Sequence, residues 1–312
     1  MLQPIIDPID PDLIAGELTP DRFLRTSNKG GNLLYVVDAV NAPNTMREIG
    51  RLREITFRAA GGGTGKDCDI DFFDTMDSPC RQLIVWNPEL KLILGGYRFI
   101  LGKDIKVVDG VPRIATAHMF RFSPEFNSRY LPSLIELGRS FVRTEFQSSR
   151  AGAKAIFALD NLWDGLGALT VEHPEIKYLF GKMTMYPGYS SECRNLILYF
   201  LHKHFPDPDA LVTPICPLPV DLDDKAMSAI FTGLTFKDDY RILNAAVRNH
   251  GFNIPPLVNA YMSLSPTMRC FGTAINDEFG DVEETGIFFA IDDIFEEKKR
   301  RHIESYHSHE LI

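Results

Sequence analysis

Leu137-Gly138-Arg139-Ser140-Phe141-Val142-Arg143 is the stretch from which the architecture of this 312-residue chain is predicted. The stretch is predicted to be a strand. A long helix over Ser148–Glu172 follows it, with apolar side chains along one face. A second strand over Ile176–Met185 and a second helix over Ser190–Phe205 come next. The order strand–helix–strand–helix predicts an α/β sandwich.

Upstream of this stretch, the sequence predicts a strand, a helix and two further strands. The apolar run Leu33–Val40 is typical of a buried strand. Thr45 is followed three residues later by Glu48, which is the spacing of a capping box, so a helix is predicted to begin there. The helix should end at the glycine run 61–63. The two further strands are predicted over Gln82–Trp86 and Leu92–Ile100.

Three regions are predicted along the chain. Residues 1–30 contain several prolines and glycines and are expected to be a loose N-terminal arm. Residues 31–206 are predicted to form the core. Residues 207–312 are expected to be a C-terminal extension packed on that core. Helices of the extension are predicted near Asp238–Asn249 and Pro256–Ser263, and strands near Arg269–Ile275 and Gly286–Asp292.

Composition excludes several classes of function. The net charge of −9 is opposite to that of a nucleic-acid-binding protein, so no nucleic-acid partner is expected. Five scattered cysteines without a C-x-x-C pair fit a reducing compartment, and they form no metal-type cluster with the histidines. The sequence predicts neither a signal peptide nor a membrane-spanning segment. The protein is expected to be cytoplasmic, with peripheral contact to the inner membrane left open.

The glycine-rich segment 60–67, Ala-Gly-Gly-Gly-Thr-Gly-Lys-Asp, is similar to a phosphate-binding P-loop but lacks two of its requirements. That motif needs glycine at Ala60, and it needs Ser or Thr at Asp67 to hold magnesium. The segment is therefore predicted to be a flexible loop, which could cover a substrate as a lid.

Four spaced motifs point to one family. They are R-x-x-x-F, D-x-x-D, G-x-x-R and E-x-x-R, carried by Arg53 and Phe57, Asp71 and Asp74, Gly95 and Arg98, and Glu136 and Arg139. In this order they resemble the acyl-homoserine-lactone synthases. The motifs Leu162–Leu166, Tyr178–Gly181, Pro255–Tyr261 and Gly272–Gly280 resemble a nearer group, the ornithine-lipid or glycine-lipid N-acyltransferases, also called hemolysin-like.

The resemblance implies a GNAT fold, which is a mixed central sheet with splayed parallel strands flanked by helices. It also implies direct transfer of a long (3-hydroxy)acyl group from acyl carrier protein to the amine of a small amino acid, in aminolipid biosynthesis. Glu136 matches the family's proposed base, and Arg98 and Arg139 are candidates to hold a carboxylate or to fix the acidic cluster. Backbone N–H groups near Phe141 and Val142 could stabilise the oxyanion. The other predicted substrate-binding residues are Arg53, Phe57, Asp71 and Asp74. Arg53, Arg98 and the two aspartates are equally compatible with a structural ion-pair network.

The predicted donor-binding segment departs from the coenzyme A pattern. Gln147–Gly152 reads Gln-Ser-Ser-Arg-Ala-Gly, so Arg150 stands where a Q-x-x-G-x-G/A loop has its first glycine. A side chain there should hinder close approach of a pyrophosphate. We therefore predict that Arg150, Ala151 and Gly152 serve acyl-phosphopantetheine on a carrier protein. Acyl-CoA stays open as the donor, and no permanently bound cofactor or metal is expected.

Two other functions stay open from the sequence alone. One is a small-acyl GNAT acetyltransferase that uses acetyl-CoA. The other is a hemolysin-like membrane-interaction protein. The sequence does not distinguish glycine, ornithine, lysine and serine as acceptors.

Overall fold

The centre of the protein is a twisted eight-stranded sheet. The fold is that of a computed structural model, which describes residues 2–147, 157–220 and 223–308. Its strands are β1 (Phe23–Thr26), β2 (Leu33–Val37), β3 (Arg81–Asn87), β4 (Leu92–Leu101), β5 (Val107–Val108), β6 (Val111–Pro112), β7 (Phe120–Phe122), β8 (Leu134–Val142), β9 (Tyr178–Met185), β10 (Val212–Pro214), β11 (Arg269–Asn276) and β12 (Val282–Ala290). The main sheet has the order β1-β2-β3-β4-β8-β9-β12-β11, while β5–β6 and β7–β10 form two small separate pairs.

Helices cover both faces of this sheet. They are α1 (Pro11–Glu17), α2 (Pro43–Ala60), α3 (Phe72–Thr75), α4 (Ala158–Glu172), α5 (Ser191–His204), α6 (Asp224–Ile230), α7 (Phe236–Asn249), α8 (Pro256–Met262) and α9 (Glu296–His302). Helix α2 packs against β8, and α4 packs on β3 and β4 from the other face. This confirms the predicted mixed α/β architecture. The start of the predicted helix over Ser148–Glu172 lies outside the described residues.

A glycine allows α4 to lie close to the sheet. A Cβ atom on Gly165 would come within 2.6 Å of Leu34 Cδ2 and 2.7 Å of Leu83 Cδ2, and both leucines are fully buried. Any side chain at this position would therefore push the helix away from β2 and β3.

The sheet opens between β8 and β9, which are its one parallel pair within the described residues. Their pairing covers only residues 134–136 and 178–180, although both strands continue beyond it. At the apex, a Cβ on Gly181 would lie 2.9 Å from the carbonyl oxygen of Leu137, so the backbones are very close there before they separate. The predicted splay between strands 137–143 and 176–185 is confirmed, with β8 beginning earlier, at Leu134.

Helix α2 does not begin as predicted. It starts at Pro43, whose fixed φ suits the first helical position, and the Thr45–Glu48 capping box is absent. The carboxylate of Glu17 instead accepts the Asn44 N–H at 3.0 Å and the Thr45 N–H at 2.7 Å. The cap comes from a residue far away in sequence. The helix ends as expected, with Gly61 in the left-handed region at φ 94°.

The ends of the chain are more closely integrated than predicted. Residues 1–30 are not a loose arm, because α1 packs on α2 and β1 forms one edge of the main sheet. Residues 207–312 are not an extension laid on a finished core, because β11 and β12 continue the sheet from β9. Both regions are held by contacts between distant parts of the chain, which local composition does not reveal.

Candidate active site

A cavity of about 980 Å³ fills the V between β8 and β9. Lys182, Met183, Thr184 and Met185 are consecutive on β9, and all four line it. Successive side chains of a strand point to opposite faces of the sheet. The cavity therefore passes through the gap and opens on both faces of the sheet.

The half of the cavity on the α2 face, called the polar half, carries its charged side chains, beside the aromatic rings of Phe57 and Phe279. Its wall carries Arg139, Lys182, Thr184, Tyr186 and Glu284. An ion pair joins the Lys182 and Glu284 side chains, and the Thr184 hydroxyl donates to Glu284 Oε1 at 3.3 Å. Burial raises the pKa of Tyr186 to about 12, and the Glu284 carboxylate acts in the same direction. This half can hold a small charged molecule.

The half on the α4 face is mostly apolar. Met183, Met185, Ile254 and Val258 are among its lining residues. Tyr97, Ser140 and Tyr261, which we call the hydroxyl cluster, lie in the same wall. The Tyr97 and Tyr261 hydroxyl oxygens are 3.3 Å apart, and Tyr97 also bonds Ser140. This half suits an aliphatic chain that carries one polar group.

A bulge in β8 sets the direction of the side chains at the gap. In the pairing of β8 with β4, Gly138 is opposite Arg98 and Phe141 is opposite Gly96. Arg139 and Ser140 are therefore both opposite the single residue Tyr97. Arg139 has φ 49°, in the left-handed region. A regular strand would place the first and last residues of E-x-x-R on opposite faces, whereas the extra residue puts Glu136 and Arg139 on the same face. The motif spacing therefore depends on the bulge.

Three arginines and three aspartates form a buried network behind the cavity. Arg98 Nη1 lies 2.7 Å from each carboxylate oxygen of Asp71 and 3.3 Å from Asp74 Oδ2. Arg53 Nη1 lies 3.2 Å from the same Asp74 oxygen. Burial alone would raise the pKa of Asp71, but the neighbouring Arg98 lowers it to about 2. Arg53 and Arg98 are thus paired with carboxylates. Neither arginine is among the described residues that line the cavity.

Arg139 connects this network to the cavity wall. Its Nε lies 3.0 Å from Asp69 Oδ2, and its Nη2 lies 3.5 Å from Asp71 Oδ2. The guanidinium carbon is 4.2 Å from the centre of the Phe279 ring, a cation–π distance. The guanidinium is therefore held in one orientation on the cavity wall.

Glu136 lies at the closed end of the V, where β8 and β9 still pair. It is 2% exposed, and its Oε1 atom has no hydrogen-bond partner among the described residues. Burial raises its pKa, against the lowering effect of Arg98 and Lys182. A carboxylate with a raised pKa is suited to accept a proton near neutral pH. Glu136 is not part of the cavity wall, so a substrate would have to approach it from the polar half.

The structure divides the predicted site residues into three groups. Arg139, Phe57, Phe141 and Val142 line the cavity; Glu136, Arg53, Arg98 and Asp74 lie buried beside it, with Asp71 partly exposed; and Arg150, Ala151 and Gly152 fall outside the described residues. Sequence reasoning missed Lys182, Glu284 and the hydroxyl cluster. A lysine within the apolar strand 176–185 was the available signal, because a charged side chain in a buried strand needs a partner.

Comparison with known proteins gives consistent matches. A family model described as "Acetyltransferase (GNAT) domain" matches residues 52–156. The chain is 60% identical to a glycine N(alpha)-acyltransferase of Bacteroides thetaiotaomicron over 306 residues, 98% of this chain and 91% of that protein. It is 27% identical to an L-ornithine N(alpha)-acyltransferase of Brucella abortus, over 69% of this chain and 68% of that protein.

Among solved structures, an N-acyl amino acid synthase from uncultured soil microbes matches with a TM-score of 0.37 and 12% identity. The match covers 88% of this chain and 95% of that one.

Proposed function

The chain belongs to the GNAT-fold amino-acid N-acyltransferases and transfers an acyl group to an amino acid; we propose that the acceptor is glycine and the donor a long (3-hydroxy)acyl group on acyl carrier protein. The observation that carries this proposal is the cavity through the sheet. Its polar half can hold a small amino acid, and its apolar half can hold an acyl chain. Glycine is favoured because a relative with 60% identity is a glycine N(alpha)-acyltransferase.

The reaction would take place where the two halves meet. The glycine ammonium first loses a proton, and Glu136 is the group we propose to accept it. The amine nitrogen then attacks the thioester carbonyl carbon, which forms the new C–N bond and a tetrahedral oxyanion. The N–H groups of Phe141 or Val142 would stabilise that oxyanion, because β8 pairs with β9 only as far as Glu136 and its edge beyond that residue faces the gap. Collapse of the intermediate breaks the C–S bond and releases the carrier thiol, which takes up a proton.

The size and lining of the apolar half support a long acyl chain. An acetyl group would leave most of the cavity of about 980 Å³ empty. Each methylene buried against Met183, Met185, Ile254 or Val258 contributes about 0.8 kcal/mol, so four of them supply about 3 kcal/mol. The hydroxyl cluster supports a hydroxyl group on that chain. These observations favour the long-chain reaction over acetyl transfer from acetyl-CoA.

The carrier-protein donor and a place in aminolipid synthesis are also proposals. The carrier-protein donor is proposed from the Gln147–Gly152 segment, in which Arg150 replaces a glycine of the coenzyme A loop. The place in aminolipid synthesis is proposed from the resemblance to the ornithine-lipid or glycine-lipid N-acyltransferases. Acyl carrier proteins are acidic, so an arginine at this place could also aid docking. Peripheral contact with the inner membrane stays a proposal as well. No helix in the described parts of the chain is long and apolar enough to cross a bilayer.

A donor and acceptor panel tests the proposed function. Purified protein is supplied with 3-hydroxyacyl and plain acyl carrier protein of equal length, the matching acyl-CoA, and acetyl-CoA, each with glycine, serine, ornithine and lysine. N-acyl products are measured by mass spectrometry. We expect N-acylglycine, formed from the long carrier-bound donor with a kcat/KM at least about a hundredfold above that with acetyl-CoA. Equal rates with acetyl-CoA would favour the small-acyl reaction instead.

A further inference from the structure

Two buried charged side chains of the cavity have no part in the proposed chemistry so far. Lys182 and Glu284 are paired on the wall of the polar half, with side chains only 9% and 3% exposed. We propose that the Lys182–Glu284 pair is the acceptor subsite, in which Lys182 binds the amino acid's α-carboxylate and Glu284 its ammonium group. This inference rests on the proposed function.

The sheet fixes the two side chains side by side. In the register of β9 and β12, Thr184 is opposite Glu284 and Lys182 is opposite Gly286. Lys182 and Glu284 are therefore diagonal neighbours on one face, and the absence of a side chain at Gly286 leaves room beside Lys182. The Thr184 hydroxyl holds Glu284 Oε1 at 3.3 Å. The pair belongs to rigid strands and not to a loop.

A buried ion pair of this kind contributes little net free energy to the stability of the fold. Removing two charges from water costs about as much as their attraction returns, and apolar residues of similar volume often serve equally well. An ammonium group has three N–H donors, and Glu284 is the one partner that the described residues give Lys182. The remaining N–H groups can donate to a carboxylate in the cavity.

A zwitterion matches the pair in charge and size. Its carboxylate can take the free donors of Lys182, and its ammonium can approach Glu284, so every charge keeps an opposite neighbour. Because glycine at neutral pH carries no net charge, its entry adds no uncompensated charge to a buried site. Lys182 and Glu284 lie on the same face of the sheet as Glu136, which pairs with Phe180. Lys182 is two residues along β9 from Phe180, and Thr184, the residue opposite Glu284, is four residues along.

The test compares acceptors that differ in charge. Glycine, glycinamide and methylamine are offered to wild type, to Lys182→Met and to the double variant Lys182→Met/Glu284→Gln, with a saturating long-chain donor. The double variant removes both charges together, so no lone charge stays buried. The matched control is Glu283→Gln, which breaks the neighbouring Arg194–Glu283 ion pair outside the cavity wall.

We expect wild type to prefer glycine over glycinamide by at least about tenfold in kcat/KM, since a charge-assisted pair of hydrogen bonds is lost with the amide. The double variant should lose this preference through a higher KM for glycine, with the KM for the donor unchanged. Glu283→Gln should keep it. An unaltered glycine KM and preference in a folded double variant overturns the inference.

If the double variant does not fold, the acceptor series on wild type decides, and equal use of glycine and glycinamide overturns the subsite. A wild-type protein that acylates no amino acid refutes the proposed function itself. That outcome differs from an active enzyme in which the double substitution leaves the KM for glycine unchanged, which overturns the subsite alone.

Discussion

Replacing Glu136 by glutamine is expected to slow acyl transfer strongly and to leave the fold intact. Glutamine keeps the shape of the side chain but cannot accept the proton of the amine. Glu136 is 2% exposed, and its Oε1 has no hydrogen-bond partner within residues 2–147, 157–220 and 223–308. The substitution therefore removes no known hydrogen bond of that oxygen.

The magnitude follows from the role of the group. A positioned general base contributes about 10²- to 10⁴-fold, so kcat should fall by about that factor while the KM for the donor stays the same. The substitution should lower activity but raise the stability of the folded protein at higher pH. Because burial raises the pKa of Glu136 in the folded state above its usual 4.5, its contribution to stability is present at low pH. That contribution is lost as pH rises through the raised value. Glu136→Gln should therefore gain stability relative to wild type as pH rises.

Two measurements check this prediction. Single-turnover transfer with the long-chain donor isolates the chemical step, and thermal unfolding at pH 5 and pH 8 gives the stability difference. Glu283→Gln is the control, because it removes a carboxylate of the same type outside the cavity wall. Near-normal transfer by a well-folded Glu136→Gln protein would remove Glu136 from the mechanism. A variant that loses stability at pH 8 would show that the carboxylate has a structural partner.

Two further predictions concern the donor side of the site. Tyr261→Phe removes one hydroxyl of the hydroxyl cluster, so the preference for a 3-hydroxyacyl over a plain acyl donor of equal length should fall by up to about tenfold; an unchanged preference would exclude Tyr261 from donor recognition. Gly95→Ala should destabilise the protein by about 1–3 kcal/mol, because its Cβ would lie 2.6 Å from the backbone oxygen of Phe141. Gly138→Ala, where a Cβ meets nothing within 4 Å, is the matched control in thermal unfolding.

The sequence predicted those parts of the fold that local pattern determines. The strands around residues 137–143 and 176–185 and the end of α2 at Gly61 were all found, because periodicity and glycine act locally. The start of α2 was wrong, since its N–H groups are capped by Glu17, which lies 28 residues before Thr45. Residues 1–30 were assigned to a loose arm for the same reason. Their helix and strand are short and are stabilised by distant partners.

Site residues that belong to a sequence motif could be predicted. Site residues that come together only through strand pairing could not. Arg139 was predicted from the E-x-x-R motif and Phe141 as a source of backbone N–H groups for the oxyanion, and both residues lie on the cavity wall. Lys182 and Glu284 are 102 positions apart in number, and only the register of β9 and β12 brings them together. Arg98 shows the converse. Its motif named it as a site residue, but its contacts with two aspartates make it a part of the network behind the cavity.

The bulge at Arg139 can be tested separately from catalysis. A residue with a side chain at φ 49° is strained by about 1–2 kcal/mol relative to glycine, because its Cβ crowds the backbone in the left-handed region. Arg139→Gly and Arg139→Ala both delete the guanidinium and its ion pairs with Asp69 and Asp71, so their shared loss cancels when the two are compared. Arg139→Gly should then be the more stable by about 1 kcal/mol in denaturant unfolding, with acyl transfer equally impaired in both. If the alanine variant is as stable as the glycine variant, position 139 does not have the bulged conformation. The two ends of E-x-x-R would then lie on opposite faces, and Glu136 and Arg139 could not serve one acceptor.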